Sequence, residues 1–352
     1  MAPHADVKLA DPLLGGQSRT VSRLASLYSP LIRHLPPVWG GVYHASNTAA
    51  VFGSVRLVFS RPVRAEVARL LESCQPHIVV TVHPLLTHVV REAMDSVKNA
   101  APLVTVVTDL ARFHRGWRAS DVDVVVLPSE TATAEFAADG SAPRLLPLGI
   151  PVNLRFRPPA PGERDALRRV FGLDERRFTI LVSGGGEGSG QLEEQVRALG
   201  AEPAGWQLIV VCGRNLRLRK KLLELQLSVP ALILGFVDNM PELMRASDLV
   251  VSKAGPGAIS EALATALPML LTGYLPGQET GNVAFVTESG AGLYVPSPSR
   301  LRESVLSITA EEGRAWHAMS ERAAAIARPY AALDIARECV RLSQSADTHG
   351  SR

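Results

Sequence analysis

Residues 252–292 read SKAGPGAISEALATALPMLLTGYLPGQETGNVAFVTESGAG, and this stretch decides the fold. The run just before it, 248–252, is apolar and β-branched, which is typical of a buried strand. Glycines around Pro256 then interrupt the chain, apolar residues recur at helical spacing over 259–266, and Pro268 ends that pattern. The order of strand, glycine-rich turn, helix and strand predicts an α/β domain.

The glycine-rich turn has the composition of a phosphate-binding site. Gly255 and Gly257 let a ligand approach the backbone closely, and the free N–H groups at the helix start favour an anion. Glu261 lies about one turn inside the helix, and an ionised carboxylate only accepts hydrogen bonds, which suits the two hydroxyls of a ribose. A second polar turn, 278–282, is expected to bind the hydroxyls of a sugar. The residues by themselves predict a nucleotide-phosphate site.

The same stretch resembles a known family. SKAGPGAISEAL, LPMLLTGYLPGQETGNVAFV and SGAG are similar to the donor-binding region of glycosyltransferase family 28. The most similar branch contains monogalactosyldiacylglycerol synthases and processive diacylglycerol glucosyltransferases, and the peptidoglycan N-acetylglucosaminyltransferase is a more distant relative. The resemblance implies the GT-B fold, in which two Rossmann-like α/β domains face each other across a cleft.

The resemblance also implies a reaction. A hexose is transferred from a UDP-sugar, with inversion at the anomeric carbon, to the hydroxyl of a lipid acceptor such as diacylglycerol or a glycolipid. Inversion requires a base across the cleft from the donor. No metal and no cofactor are expected, because helix N-termini neutralise the leaving diphosphate and the UDP-sugar is itself a substrate.

Further donor-binding residues follow from the resemblance in the second domain. The strand 178–182 precedes SGGGEG at 183–188, where the backbone is expected to approach the diphosphate or the sugar. The segment CGRN at 212–215 matches the family pattern, and backbone groups of Phe236 and Val237 are expected to read the uracil base. The complete predicted donor set is Gly184, Gly185, Gly186, Glu187, Gly188, Arg214, Phe236, Val237, Gly255, Pro256, Gly257, Glu261, Gln278, Glu279 and Asn282.

Two strand ends in the first domain carry the candidates for catalysis. His83 follows the strand 77–82, and Pro84 keeps it out of a helix, at the edge where ligands bind. Asp109 follows the strand 103–107, where a carboxylate can act as a general base or orient one. The alternative for His83 is a capping or core role, and the alternative for Asp109 is a helix N-cap.

The N-terminal region departs from the family pattern. Family members begin with a strand, a glycine-rich turn that contains a His implicated in catalysis, and a helix, and residues 7–11 resemble a second strand rather than a first. A misassigned start codon or a truncated, inactive protein would account for this difference. The acceptor-side loop is matched by TDL and FHRGW, so the resemblance implies acceptor-side roles for His114 and Trp117.

The pattern along the chain predicts a division into domains. Four prolines in 149–162 indicate the hinge between them. The predicted parts are an acceptor-side Rossmann-like domain at 1–150, a UDP-sugar-binding domain at 151–322, a helix at 323–343 that packs back toward the first domain, and a disordered tail at 344–352.

Composition restricts the class of protein. The 352 residues are 46% hydrophobic and 20% charged, which is enough for two cores. Cys74, Cys212 and Cys339 form no metal or redox pattern, which favours a reducing cytoplasm. A net charge of +3 is too small to indicate a nucleic acid partner. The glycine-rich turn after the strand 178–182 does not match the dinucleotide-binding pattern G-x-G-x-x-G. The last glycine of that pattern would fall on Ser189 or on Gln191.

Two basic stretches suggest contact with a membrane. Basic and aromatic residues share the amphipathic region 19–43, and four of the five residues in 217–221 are basic. The alternatives are a core-packed helix and a solvated helix face. Together with a lipid acceptor, membrane contact by these stretches predicts a cytoplasmic protein that binds peripherally to the inner, anionic face of a membrane. No stretch of the sequence reaches the length of a transmembrane helix.

Three other functions are compatible with these residues. One is a non-catalytic or truncated UDP-sugar-binding protein, and the others are a UDP-sugar epimerase and an N-acetylglucosaminyltransferase with another acceptor. The sequence does not determine the hexose, the acceptor, processivity or the oligomeric state.

Overall fold

The computed structural model describes residues 5–13, 22, 23, 26, 31, 35–119, 121–137, 143–185 and 191–349. The chain forms two compact units, each with its own parallel sheet and core. The first comprises Met1–Val107, Phe113–Pro147 and Arg337–Arg352, and the second comprises Thr108–Arg112 and Leu148–Ala336. About half of the predicted basic region 19–43 lies outside the described residues.

The first unit contains a four-stranded parallel sheet in the order β1-β2-β3-β4. Its strands are β1 (Val79–Thr81), β2 (Leu103–Val106), β3 (Val124–Val126) and β4 (Arg144–Leu146). Its helices are α1 (Pro36–Ser46), α2 (Ala49–Cys74), α3 (Pro84–Ser96) and α4 (Glu130–Ala137), with a 3-10 turn at Arg115–Trp117. Strands β2 and β3 are entirely buried, which explains their continuous apolar sequences.

Three buried threonines in this core satisfy one another. The Thr81 hydroxyl lies 3.0 Å from that of Thr105 and 3.1 Å from that of Thr87. Because an unpaired buried hydroxyl destabilises a core, this cluster explains how polar residues occur inside apolar strands.

The second unit contains six parallel strands in the order β10-β9-β8-β5-β6-β7. The strands are β5 (Phe178–Ser183), β6 (Trp206–Val211), β7 (Ala231–Leu234), β8 (Leu249–Ser252), β9 (Met269–Leu271) and β10 (Gly292–Tyr294). The helices are α5 (Glu163–Val170), α6 (Leu192–Gly200), α7 (Leu216–Leu223), α8 (Met240–Ala246), α9 (Pro256–Ala264), α10 (Thr280–Glu288) and α11 (Pro298–Ile326). The order reverses between β5 and β8, and such a switch point is where ligands bind in open α/β sheets.

Both faces of this sheet are covered. Leu181 of β5 packs in the core on one face, while Ile180 and Val182 pack in the core on the other. Since successive strand residues point to opposite faces, a sheet buried on both sides needs apolar residues at every position.

Two ends of the chain differ from the sequence-based expectation. Residues 7–11 were expected to form a strand, but they have no regular structure, and Val7 and Leu9 are 80% and 97% exposed. The final helix α12 (Ala331–His349) continues past residue 343, into the tail that was expected to be disordered. No proline or glycine occurs in 331–349 to end it.

Helix α11 is interrupted. Residues Ala310, Glu311, Glu312 and Gly313 have non-helical dihedral angles, so the segment consists of two helices joined by a kink. Trp316, just after the kink, donates a hydrogen bond from its indole N–H to the Asp248 carbonyl at 2.6 Å. The Asp248 carboxylate in turn pairs with the buried guanidinium of Arg168. This network fixes the second half of α11 to the start of β8.

Substitution of Gly292 by Ala is expected to destabilise the second unit. A Cβ atom on Gly292 would lie 2.3 Å from the Met269 carbonyl oxygen and 2.7 Å from Val286 Cγ1. Because the backbone of β9 must move to make room, we expect the free energy of unfolding to fall by about 2 kcal/mol or more. Urea denaturation measures the change. Gly205→Ala is the control, since its Cβ meets nothing within 4 Å; equal denaturation midpoints for the two variants would contradict the prediction.

Candidate functional site

The residues of the predicted donor set follow the carboxyl ends of strands of the second unit. Gly184 and Gly185 follow β5, Arg214 follows β6, and Phe236 follows β7. The turn at 255–257 follows β8, and 278–282 comes after β9. Val182 of β5 is paired with Val251 of β8, so the two glycine-rich turns leave the sheet side by side. The predicted positions Gly186, Glu187 and Gly188 lie outside the described residues.

The turn after β8 is held rigidly. Gly255 is the N-cap of α9, and Pro256 occupies its first position. The preceding residue, Ala254, donates its N–H to the Gly273 carbonyl at 2.8 Å and accepts a hydrogen bond from Asn282 Nδ2 at 2.8 Å. Because the first N–H groups of a helix have no intrahelical partner, those of the Gly257 turn are available to an anion.

Asn282 supports this turn from behind. Asn282 was predicted to contact the sugar or the phosphates. In the structure its side chain is 1% exposed, and its amide nitrogen donates a hydrogen bond to the Ala254 carbonyl. The side chain is therefore enclosed, and its amide nitrogen is committed to the turn. Asn282 is therefore a positioning residue for the turn.

Glu261 lies on α9, where it is partly buried. Burial raises the pKa of its carboxyl group to about 7, since the charged form loses its hydration. Two hydroxyl donors would replace the lost water and favour the ionised form. This is the arrangement that a ribose would complete.

The second polar turn carries a partly buried carboxylate. Glu279 Oε2 accepts the Leu275 N–H at 2.6 Å. Burial raises the pKa of Glu279; this N–H and the Lys253 ammonium oppose the rise, while the carboxylate of Asp109 adds to it. The neighbouring Gln278 is also partly buried. Lys253 was not among the predicted residues, although a cation immediately before a phosphate-type turn is visible in the sequence.

The turn that follows β7 carries an exposed aromatic ring. Phe236 is 59% exposed, and the guanidinium of Arg214 lies 4.7 Å from its ring centroid. Val237 instead packs against the core. Phe236 is therefore accessible to a planar ligand such as a base, whereas the side chain of Val237 has a structural role.

Asp109 belongs to the second unit. It was predicted in the first domain, but Thr108–Arg112 groups with the second unit, and Leu110 is buried in that unit's core. A Cβ on Gly281, in the first turn of α10, would lie 3.0 Å from Ala111 Cβ. This close packing brings the Asp109 segment against the helix that follows Glu279.

His83 caps a helix in the first unit. Its Nδ1 accepts the Leu85 N–H at 3.3 Å at the start of α3. Burial lowers the pKa of His83, and Asp11 opposes that effect. A neutral ring that accepts at Nδ1 carries its proton on Nε2, so this tautomer donates a hydrogen bond rather than removing a proton. The geometry favours the capping role over that of the base.

His114 and Trp117 are core residues in this structure. Trp117 is 1% exposed, and His114 Nδ1 accepts the Gly116 N–H at 3.0 Å while its Nε2 lies 3.2 Å from the Ser46 hydroxyl. Burial, with a smaller contribution from Arg115, lowers the pKa of His114 to about 4. Both ring nitrogens of His114 are engaged within the first unit and Trp117 is enclosed in its core, which does not fit the predicted direct contact with an acceptor. The aromatic and His pattern reflected packing of the first unit.

Comparison with known proteins places this geometry in a family. A model of monogalactosyldiacylglycerol (MGDG) synthase matches residues 7–152, and a model of the glycosyltransferase family 28 C-terminal domain matches residues 179–332. Monogalactosyldiacylglycerol synthase 3 of Arabidopsis thaliana is 32% identical over 328 residues, which cover 90% of this chain and 70% of the relative. The chain belongs to the monogalactosyldiacylglycerol synthase family. The family resemblance predicted from the sequence is confirmed.

Other members of the family are longer than this chain. The synthase of Spinacia oleracea is 35% identical over 326 residues, which cover 89% of this chain and 62% of the relative. The chain thus spans about three fifths of the length of that relative.

Solved structures confirm the fold class expected for this family. MurG of Acinetobacter baumannii has a TM-score of 0.59 at 15% identity, with 80% of this chain and 77% of the other covered. HepE of Anabaena in complex with UDP-glucose has a TM-score of 0.51 at 18% identity, with 82% of both chains covered. At such identities the likeness concerns the fold, and it confirms the predicted GT-B class.

One Asp-x-Asp sequence occurs in this family member, at Asp121-Val122-Asp123. It precedes β3, at the amino end of the strand, and Asp123 Oδ2 accepts the Leu103 N–H at 2.8 Å. The motif therefore has a structural role. Within the described residues, no group of three His, Cys, Asp or Glu side chains is placed to hold a metal ion. Independence from metals stays a prediction. The described helices include none that could cross a bilayer.

The raised pKa of Glu261 predicts a pH dependence for this family's donor site. Below about pH 7 the unliganded carboxyl group is protonated, and a ligand that requires the ionised form must first displace the proton. We expect affinity for a UDP-hexose to be constant above pH 7 and to fall toward about tenfold per pH unit below it. Calorimetry from pH 5.5 to 8.5 measures this trend. The hexose ester is used because a terminal phosphate itself titrates near pH 6. Glu261→Gln should remove the dependence; an unchanged slope in that variant would assign it to another group.

Proposed function

We propose that the protein is an inverting glycosyltransferase, which moves a hexose from a UDP-sugar to the hydroxyl of a lipid acceptor. The observation that carries this proposal is the carboxyl edge of the sheet in the second unit. There the turn at Gly255, the partly buried Glu261 and the exposed Phe236 provide groups for diphosphate, ribose and base. The UDP-glucose named in the HepE structure supports the same class of donor.

The described residues support a direct displacement. Asp109 accepts the proton of the acceptor hydroxyl as its oxygen forms a bond to the anomeric carbon. The bond between that carbon and the phosphate oxygen breaks, and its electrons leave with UDP. The free N–H groups at the start of α9 stabilise the charge that develops on the diphosphate. Asp109 is favoured over His83 because the His83 ring is used as a cap.

The acceptor and the hexose are inferred from the relatives. Their names describe synthases of monogalactosyldiacylglycerol, so galactose and diacylglycerol are the first substrates to test. A lipid acceptor places the reaction at a membrane surface, and we propose peripheral binding to the anionic inner face. The exposed apolar residues Leu216 and Leu223 on α7, which also carries Lys220 and Lys221, support such binding.

A transfer assay tests the proposal. Purified protein is mixed with diacylglycerol in liposomes that contain anionic lipid, and with UDP-galactose, UDP-glucose or UDP-N-acetylglucosamine in parallel. Mass spectrometry of the lipid fraction is expected to show a hexosyl-diacylglycerol. Binding of UDP without any product would favour the non-catalytic alternative. Conversion of the UDP-sugar without an acceptor would favour an epimerase, and transfer only from UDP-N-acetylglucosamine would favour the third alternative.

Sedimentation with liposomes tests the membrane component separately. We expect the protein to co-sediment with vesicles of phosphatidylglycerol and phosphatidylcholine, and less so in high salt. Absence of binding at physiological salt would count against a lipid acceptor.

A further inference from the structure

Hydrogen bonds fix the first turn of α10 on both sides of Gly281. The hydroxyl oxygen of Thr280 accepts the Gly277 N–H at 3.1 Å. The amide nitrogen of Asn282 donates to the Ala254 carbonyl at 2.8 Å. Gly281 itself is buried. Because both of its neighbours are bonded to other parts of the second unit, this turn resists displacement by a group that presses against Gly281.

The segment Thr108–Arg112 packs against this turn and belongs to the same unit. A Cβ atom on Gly281 would lie 3.0 Å from Ala111 Cβ and 3.1 Å from Arg112 Cγ, closer than the best separation of packed carbon atoms. The preceding residue, Leu110, is 4% exposed and lies in the core of the second unit. The segment is therefore held at two successive residues, Leu110 and Ala111.

Asp109 comes directly before these two residues and is 7% exposed. A methyl group on Gly281 would displace the segment rather than the helix, because the first turn of α10 is fixed. The Asp109 carboxylate would move with the segment. A general base must lie within hydrogen-bond reach of the proton that it accepts, and a displacement of about 1 Å can cost about 10²-fold in rate.

We infer that Gly281 is a positioning residue for the general base: its lack of a side chain allows the segment Thr108–Arg112 to pack against α10, and this contact sets the position of the Asp109 carboxylate. The inference rests on the proposed function, which assigns the base to Asp109. It extends that function, because the unit that carries the nucleotide site then also holds the base.

Kinetics of four proteins test this inference: wild type, Gly281→Ala, Ala111→Gly and the double variant. We expect kcat of Gly281→Ala in the liposome transfer assay to fall by about tenfold to 10²-fold, with KM for the UDP-sugar changed by less than about threefold. Ala111→Gly removes the nearest atom from the other side of the contact. The double variant should therefore have a kcat within about threefold of that of Ala111→Gly alone.

The remaining contacts of the new methyl group are compatible with this recovery. The exposed Arg112 side chain can turn away, and the Ala111 carbonyl carbon lies at 3.3 Å. Circular dichroism verifies that each variant folds. If Gly281→Ala does not fold, Ala111→Val takes its place, because it enlarges the same contact from the side of the segment and should lower kcat in the same way.

A purely structural role of Gly281 predicts a different result. Alanine favours a helix more than glycine does, so Gly281→Ala would stabilise α10 and leave kcat unchanged if helix propensity were all that mattered. Calorimetry with UDP accompanies the kinetics, and we expect affinities within about threefold of wild type. Gly205→Ala is the control, since its Cβ meets nothing within 4 Å, and it should retain the wild-type kcat.

Limited proteolysis measures the contact without any turnover. Arg112 is exposed, and trypsin cleaves after an arginine where the backbone opens locally. We expect cleavage after Arg112, identified by mass spectrometry, to be at least about fivefold faster in Gly281→Ala than in wild type. In the double variant the rate should return to that of Ala111→Gly.

The outcomes separate this inference from the proposed function. If wild type transfers no hexose, the proposed function fails, and equal cleavage rates in wild type and Gly281→Ala would show that the contact fails as well. If wild type is active and Gly281→Ala keeps its kcat, only the inference fails. It also fails if the double variant is as slow as Gly281→Ala, because the alanine then acts elsewhere than at Ala111, or if the affinity for UDP falls together with kcat.

Discussion

Substitution of Asp109 by Asn is expected to lower kcat for hexose transfer by about 10²- to 10⁴-fold, the usual contribution of a general base. Asparagine has nearly the same shape as aspartate, so the packing of Leu110 in the core should remain. The amide cannot accept the proton of the acceptor hydroxyl. Affinity for UDP should change by less than about threefold, because the nucleotide contacts assigned here do not include Asp109.

Activity and calorimetric binding are measured on the same preparation of Asp109→Asn. His83→Asn is the comparison variant, because asparagine is also a good N-cap for α3. We expect it to retain most of the wild-type kcat. A large loss in His83→Asn together with normal turnover in Asp109→Asn would reverse the two assignments, and His83 would then be the base.

Removal of the Glu261 carboxylate is expected to weaken UDP binding by about tenfold or more, which corresponds to roughly 1.5–3 kcal/mol for hydrogen bonds to a charged group. Glu261→Ala removes both acceptor oxygens, whereas Glu261→Gln keeps one. The order of affinity should therefore be wild type, then the Gln variant, then the Ala variant. Calorimetry with UDP provides the measurement.

The ribose contact can be isolated with a modified ligand. Wild type should bind 2′-deoxy-UDP more weakly than UDP, and Glu261→Ala should bind the two nucleotides about equally, since the partner of the 2′-hydroxyl is absent. Glu288→Ala, at the exposed end of α10, is the control for loss of a carboxylate in the same unit. If Glu261→Ala still discriminates between the two nucleotides as wild type does, the ribose is bound elsewhere.

Local sequence pattern predicted the strands and turns on which most of the candidate donor residues lie. Strands with continuous apolar residues are recognisable in single segments, and the turn at Gly255 lies between such a strand and an amphipathic helix. In a parallel sheet the ends of all strands meet at one edge, so turns far apart in the chain are brought together by the fold itself. Glu261 was predicted to bind ribose because its spacing from the turn places it about one turn inside the helix.

The remaining residues depend on tertiary packing. Whether Asn282 faces a ligand or supports the turn is decided by the position of the Ala254 carbonyl, which belongs to another element. A tryptophan is compatible with an acceptor loop and with a core, and only the residues packed around Trp117 make it a core residue. Asp109 was placed with the strand that precedes it, whereas contact of Ala111 with Gly281 places it with the second unit.

The assignment of Thr108–Arg112 to the second unit restricts the exchange of domains between members of this family. A chimera joined near residue 150 would combine the Leu110 of one parent with the surrounding core of the other. It would likewise divide the final helix, since residues up to Ala336 belong to the second unit and those from Arg337 to the first. The donor half is therefore inherited as two pieces of chain rather than one, and recombination that preserves it must exchange a five-residue loop together with the main segment, which ends inside α12.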